Sequence, residues 1–169
     1  MMKPLVSIIM GSTSDWTVME QCAKTLNDFE IPFEVNALSA HRTPDEVSVF
    51  AKNAHKKGIK VIIAAAGMAA HLPGVIASMT PLPVIGVPIK ASLEGLDAMM
   101  AILQMPPGIP VATVAINGAQ NAALLAVQIL SVGNRSIFKQ YKQFKNNLKE
   151  KIVKANEDFS KISMPFKVN

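Results

Sequence analysis

Apolar stretches at strand spacing alternate along this chain with stretches at helical spacing. Leu5-Val6-Ser7-Ile8-Ile9-Met10 reads as a short apolar strand, and a helical pattern runs from about Trp16 to Phe29. Phe33-Glu34-Val35-Asn36-Ala37-Leu38 alternates apolar and polar residues, which predicts a second strand over 33–38. A helix follows from about Pro44 to Lys57, with Gly58 ending it. Val61-Ile62-Ile63-Ala64-Ala65 has no alternation and predicts a strand buried on both faces. After the small-residue segment Gly67 to Gly74 comes a short apolar helix to about Ser78. A fourth strand is expected from Pro83 to Val87, a helix from about Leu93 to Leu103, and a fifth strand from Val111 to Ile116. Asn121 to Leu130 opens a very apolar helix, and an amphipathic helix occupies about Ser136 to Asp158. The last ten residues read as frayed.

Strands and helices alternating at this spacing imply an α/β fold. The expected sheet is parallel and five-stranded, with helices on both faces and a C-terminal helix. The connections suit the flavodoxin-like order 2-1-3-4-5, whose crevice lies between the first and third strands. The polar or Gly-rich clusters after strands one, two and three then converge on that crevice. Residues 1–134 form the expected catalytic domain. Residues 135–169 form a basic helix and tail, packed on the same domain or on a neighbouring subunit.

Charge changes this picture only at the tail. Residues 135–169 carry nine Lys/Arg against three Asp/Glu, whereas residues 1–134 carry eight against nine. The net +5 therefore belongs to the final helix. Its lysines, interleaved with Tyr141, Phe144 and Leu148, read as a solvated face beside an apolar stripe rather than as a nucleic-acid surface. Residues 61–89 contain no Asp, Glu, Lys or Arg, but their prolines and glycines interrupt the run too often for a membrane span. With no secretory signal visible, a soluble cytoplasmic protein is the expectation. Residues 61–134 hold three charged side chains, Lys90, Glu94 and Asp97. So little charge over half a small chain predicts an obligate homo-oligomer with large apolar interfaces. Cys22 is the only cysteine and reads as a core residue; neither a disulfide framework nor a cysteine-based zinc site is available within one chain.

The candidate chemistry centres on Ser39-Ala40-His41-Arg42-Thr43-Pro44-Asp45, where a strand hands over to a helix. Thr43 fits the N-cap, Pro44 the first helical position, and Glu46 a capping box with Thr43. His41 offers a group able both to donate and to accept a proton near neutrality. Arg42 suits a bidentate grip on phosphate or carboxylate. The bland alternative is a surface histidine beside a surface ion pair.

Gly11-Ser12-Thr13-Ser14-Asp15 lacks both the Walker and the dinucleotide spacing, but it offers hydroxyls and free amides at a strand-to-helix turn. Asp15 suits sugar hydroxyls rather than phosphate; alternatively Ser14 or Asp15 merely caps the helix. Gly67 to Gly74 is poor in bulk, so a planar ligand can approach its backbone. His71 there either orients the ligand or bonds a neighbouring carbonyl. His55 sits at the Lys-rich end of its helix and reads as solvated. Three histidines without ligand spacing give no metal site.

Together these residues resemble a known family. Gly-Ser-x-Ser-Asp-Trp at 11–16, Ser-Ala-His-Arg-Thr-Pro at 39–44, Ala-Gly-x-Ala-Ala-His-Leu-Pro-Gly at 66–74 and Gln-Met-Pro-x-Gly-Ile-Pro-Val at 104–111 are similar to the bacterial N5-carboxyaminoimidazole ribonucleotide mutases of purine biosynthesis. The match covers about residues 5–132, in order; the tail carries no motif of the family. The resemblance implies a three-layer αβα sandwich assembled as a homo-octamer, and a ribonucleotide substrate. It implies a carboxylate moved from an exocyclic nitrogen to a ring carbon through bound carbon dioxide, without ATP, cofactor or metal. It assigns His41 as the catalytic histidine and Ser12, Asp15 and Arg42 as substrate-binding. It places Ser14, Ser39, Gly67, His71 and Leu72 in segments lining the same pocket. Met68 departs from the Gly or Arg of many relatives.

Two rival readings follow from other patterns. The related carboxylase, which uses carbon dioxide directly, shows Ser-Ala-His-Lys and a differently built third loop, so Arg42 and residues 69–74 favour the mutase. A non-catalytic flavodoxin-like module is the other. A phospho-receiver needs an Asp after strand three, where Ala64-Ala65-Ala66 stands, and a flavin module needs flanking aromatics, of which Trp16 is the one candidate.

Overall fold

A computed structural model of the chain describes residues 2–168, so Met1 and Asn169, the outer ends of the two expected segments, lie outside it. The strands are β1 (Val6–Met10), β2 (Phe33–Ala37), β3 (Val61–Gly67), β4 (Val84–Ile89) and β5 (Ala112–Thr113). The helices are α1 (Trp16–Asp28), α2 (Pro44–Asn53), α3 (Leu72–Ala77), α4 (Leu96–Leu103), α5 (Ala119–Ser131) and α6 (Arg135–Ser160). The sheet runs β2-β1-β3-β4-β5, parallel throughout, which is the order the sequence pattern predicts. Met10 of β1 pairs with Ala37 of β2 and Ala65 of β3, so three carboxyl ends finish side by side.

Two apolar layers explain why β3 lacks alternation. Val61, Ile63 and Ala65 face the layer built with α1 and α5, while Ile62, Ala64 and Ala66 face the layer built with α2, α3 and α4. All six are buried. Each fully buried isoleucine contributes about 1.5–3 kcal/mol, so these two layers dominate the fold's stability. The side chains shrink from isoleucine to alanine and then Gly67 toward the carboxyl end of β3. That taper leaves room above the sheet edge.

Several boundaries differ from the sequence expectation. A 3-10 turn, Thr13–Asp15, precedes α1, and Ser12 caps it by accepting from the Ser14 amide; Asp15 makes no capping bond. Helix α2 ends at Asn53 and continues as a 3-10 turn, Ala54–Lys57, closed by Gly58 at φ 99° as expected of that glycine. Helix α3 begins at Leu72, inside the segment read as loop, because Pro73 fits its first turn. Helix α4 begins at Leu96 rather than Leu93, because Leu93, Glu94 and Gly95 are left-handed, with φ of 43°, 56° and 85°. Strand β5 shrinks to two residues on the sheet's edge. Beyond it the chain still follows β4 through Val114 N–H to Gly86 and Asn117 N–H to Pro88, at 3.0 and 2.8 Å.

Helix α5 is covered largely by its own chain. Ala122, Ala123, Ala126 and Val127 are buried in the layer shared with α1. The first turns of α6 add Ile137, Tyr141 and Phe144 to that layer. Phe29, Tyr141 and Phe144 form a ring cluster with centroids 5.5–6.3 Å apart. Asn134 starts α6 by accepting from the Ser136 and Ile137 amides at 3.0 and 3.2 Å. The second half of α6 is mostly exposed, Leu148 and Ile152 included. Among the described residues no helix is long and apolar enough to cross a membrane.

Candidate active site

A cleft of about 460 Å³ opens at the carboxyl edge of the sheet. The loop after β1 contributes Gly11, Ser12, Ser14 and Asp15; the loop after β2 contributes Ser39, Ala40, His41 and Arg42. The third wall is Ala66, Gly67, Met68, Ala70 and Leu72, and Ala91 closes the side toward β4. The three clusters expected to converge therefore do so. Ala40, Ala70 and Ala91 add to the lining that the sequence pattern singled out. Ala91 follows from the tight approach of β3 and β4: a Cβ on Gly67 would meet the Ala91 Cβ at 3.3 Å.

His71 does not line this cleft. Its ring lies over Gly74, so close that a Cβ there would sit 1.8 Å from Nε2. Its Nδ1 is buried with no hydrogen-bond partner, so it bonds no neighbouring carbonyl in this structure. His55 is exposed, as expected.

The polar groups of the first two loops hold one another. Ser12 and Ser14 share a hydroxyl contact at 2.7 Å, and the Ser14 hydroxyl donates to Asp15 Oδ1 at 3.5 Å. Asp15 is buried, 9% exposed, although it carries a carboxylate. Burial pushes its carboxyl up from the ordinary value, against the pull of a backbone contact to Ser12, the Ser14 hydroxyl and the Arg42 guanidinium. Arg42 Nε donates to the Ser39 hydroxyl at 3.4 Å, and its Nη2 donates to the Gly11 carbonyl. His41 is exposed at the mouth.

The expected capping box at α2 does not form. The Thr43 side chain makes no capping bond to its helix. It turns back instead, accepting from the Ser39 amide at 2.9 Å and donating to the Ser39 carbonyl at 3.1 Å. Met68 stands at φ 58°, a left-handed conformation that favours glycine, on the third wall. Cys22 is fully buried, and burial pushes its thiol up to about 12, which makes it an unreactive core residue.

Chemically, the cleft brings together an exposed imidazole, a guanidinium, three serine hydroxyls and one buried carboxylate, opposite a wall of Ala66, Gly67 and Ala70 flanked by Met68 and Leu72. It can hold an anion, accept hydrogen bonds from hydroxyls and move a proton. Fold and cleft together define a small α/β enzyme of flavodoxin-like topology, with its polar groups at the carboxyl edge of the sheet.

Comparison with known proteins makes this specific. The sequence pattern of the AIR carboxylase family matches residues 5–151, and the chain belongs to that family. The match continues into α6, beyond the region in which motifs were legible. An N5-carboxyaminoimidazole ribonucleotide mutase of Pyrococcus abyssi is 56% identical over 147 residues, which are 86% of this chain and 84% of that protein. A phosphoribosylaminoimidazole carboxylase of Saccharomyces cerevisiae is also 56% identical, over 159 residues; they cover 93% of this chain but 28% of the yeast protein. The crystal structure of Treponema denticola PurE superposes with a TM-score of 0.84 at 33% identity, covering 95% of this chain and 99% of that one.

Proposed function

We propose that the chain is an N5-carboxyaminoimidazole ribonucleotide mutase, acting in purine biosynthesis. The product is 4-carboxy-5-aminoimidazole ribonucleotide. The carrying observation is the juxtaposition, in one cleft, of His41 and Arg42 with Ser12 and Asp15. The cleft volume falls within the usual range for small-ligand sites, about 300–1,000 Å³. Relatives of matching length bear the mutase name. The yeast relative named a carboxylase is a much longer protein, and the choice between the two reactions is a matter of where the carbon dioxide comes from.

In this reading Arg42 receives the charged end of the nucleotide, and Asp15 accepts from its sugar hydroxyls. Ser12, Ser14 and Ser39 add hydroxyl contacts, and Gly67 and Leu72 face the base. His71, off the lining here, acts on the ligand only if its ring leaves Gly74. His41 begins protonated. As the bond between the exocyclic nitrogen and the carboxyl carbon breaks, its electron pair stays on nitrogen, His41 supplies the proton, and carbon dioxide is released into the cleft. The ring carbon then attacks that carbon dioxide, a C–C bond forms, and His41 takes the proton the carbon gives up. Proton and electrons balance with no other reactant. Confining carbon dioxide beside the ring keeps recombination faster than escape.

The active species is proposed to be a cytoplasmic homo-oligomer, with the octamer implied by the family resemblance. Leu96, Met100 and Leu103 recur on one face of α4 and are each about half exposed, and neighbouring Leu93 is 74% exposed. Such a stripe on a chain this poor in charge fits burial against other copies. Turnover of the carboxylated ribonucleotide in the absence of ATP tests the assignment; no turnover contradicts it.

A further inference from the structure

We propose that Thr43 is a positioning residue: its hydroxyl locks the 39–43 loop and so aims His41 into the cleft, a role that rests on the reaction proposed above. Thr43 occupies the N-cap position of α2, yet its hydroxyl gives the helix nothing. Its two side-chain bonds both go to Ser39, one to the amide at 2.9 Å and one to the carbonyl at 3.1 Å. The Thr43 amide donates to that same carbonyl at 2.8 Å. Three hydrogen bonds thus close a ring over Ala40, His41 and Arg42.

The two functional side chains in that ring depend on it unequally. Arg42 has anchors of its own. Its guanidinium reaches the Ser39 hydroxyl and the Gly11 carbonyl, and its amide donates to the Ser39 hydroxyl at 3.3 Å. His41 has none: among the described residues its ring makes no hydrogen bond, and it is exposed. The position of the imidazole is therefore delivered by the backbone alone. A side chain without partners is only as well aimed as the loop that carries it. Removing the Thr43 hydroxyl frees the Ser39 amide and leaves the Thr43 amide to Ser39 carbonyl bond as the single closure of the ring, so the loop loosens. The loss then falls on proton transfer more than on nucleotide binding.

The experiment compares wild type, Thr43→Val and Thr43→Ser in steady-state turnover of the carboxylated ribonucleotide, with melting curves alongside. Valine keeps the shape and removes the hydroxyl; serine keeps the hydroxyl. The expected result for Thr43→Val is kcat lowered about 10- to 100-fold with KM changed less than about threefold, since misplacement near 1 Å costs that much. Thr43→Ser stays within about threefold of wild type, because the locking bonds persist. Wild-type kcat in folded Thr43→Val overturns the proposal, and so does a loss confined to KM or one that serine does not rescue. Should Thr43→Val fail to fold, amide hydrogen exchange of Ser39 in the wild-type protein decides: protection well above its exposed neighbours is expected, and exchange at the rate of a free loop overturns the lock. An inactive wild-type enzyme overturns the reaction and this role with it. An active wild type beside an equally active Thr43→Val overturns this role alone.

Discussion

Arg42 donates from its guanidinium to the carbonyl oxygen of Gly11, tying the loop after β2 to the loop after β1 across the carboxyl edge of the sheet. Its Nε donates to the Ser39 hydroxyl at 3.4 Å, and Arg42 lines the cleft that both loops form. Lysine keeps the charge but cannot make both kinds of contact at once. Arg42→Lys is expected to weaken nucleotide binding about 10- to 100-fold, the worth of one charge-assisted hydrogen bond at about 1.5–3 kcal/mol. The melting temperature should change little, because Arg42 is exposed. Calorimetric binding beside a melting curve checks this; a destabilised protein with unaltered affinity contradicts it.

His41→Asn removes the proton-transfer group and leaves a side chain of similar size. Turnover is expected to fall about 10²- to 10⁴-fold, with nucleotide binding and assembly unchanged. Rapid-quench and equilibrium binding measurements on the same preparation separate these terms. A variant that keeps wild-type turnover removes His41 from the chemistry.

Asp15 links the site to stability. Its carboxyl is raised in the folded chain, chiefly by burial, so the folded state favours the neutral form. The stability this group contributes is fully present below the unfolded carboxyl value, about 4, and is lost as pH rises through the higher folded value. At neutral pH the ionised carboxylate is therefore a net cost to the ligand-free fold. Asp15→Asn is expected to raise the melting temperature at pH 7, by an amount that shrinks toward zero in acid, while weakening nucleotide binding. Melting curves across pH check the sign; a variant less stable at neutral pH than in acid, relative to wild type, contradicts it.

The stripe Leu96, Met100 and Leu103 on α4 should be interior to the assembly. Met100→Glu, which places a charge on that face, is expected to shift the protein to smaller species in light scattering. At micromolar concentration the wild type should scatter as an oligomer. A compact wild-type monomer contradicts the proposed assembly.

The parts of this molecule that were legible in the sequence are those fixed by period and length. The unbroken apolar run of β3 reflects two covered faces, and both faces are present. The strand order then brought the loops after β1, β2 and β3 together, which is why Ser12, Asp15, His41 and Arg42 meet in one cleft. What remained hidden depends on competition between near-equal local bonds. Thr43 could cap α2 or bind Ser39, and a motif cannot say which wins. His71 sits in a pocket-lining segment, yet its ring turns onto Gly74 because glycine leaves that space open. The late start of α4 comes from three left-handed residues that an apolar pattern cannot register. The fifth strand was overextended because an edge strand has a partner on one side and needs little regular pairing to hold its place.

The source of the transferred carboxylate tests the central claim most directly. The enzyme is given the N-carboxylated ribonucleotide in buffer containing 13C-labelled bicarbonate, and the C-carboxylated product is analysed by mass spectrometry in the first turnovers. Retention of carbon dioxide beside the imidazole of His41 predicts product that is largely unlabelled. Product labelled to the level of the buffer, or formed only from the decarboxylated ribonucleotide plus bicarbonate, would contradict an internal transfer and point to a carboxylase.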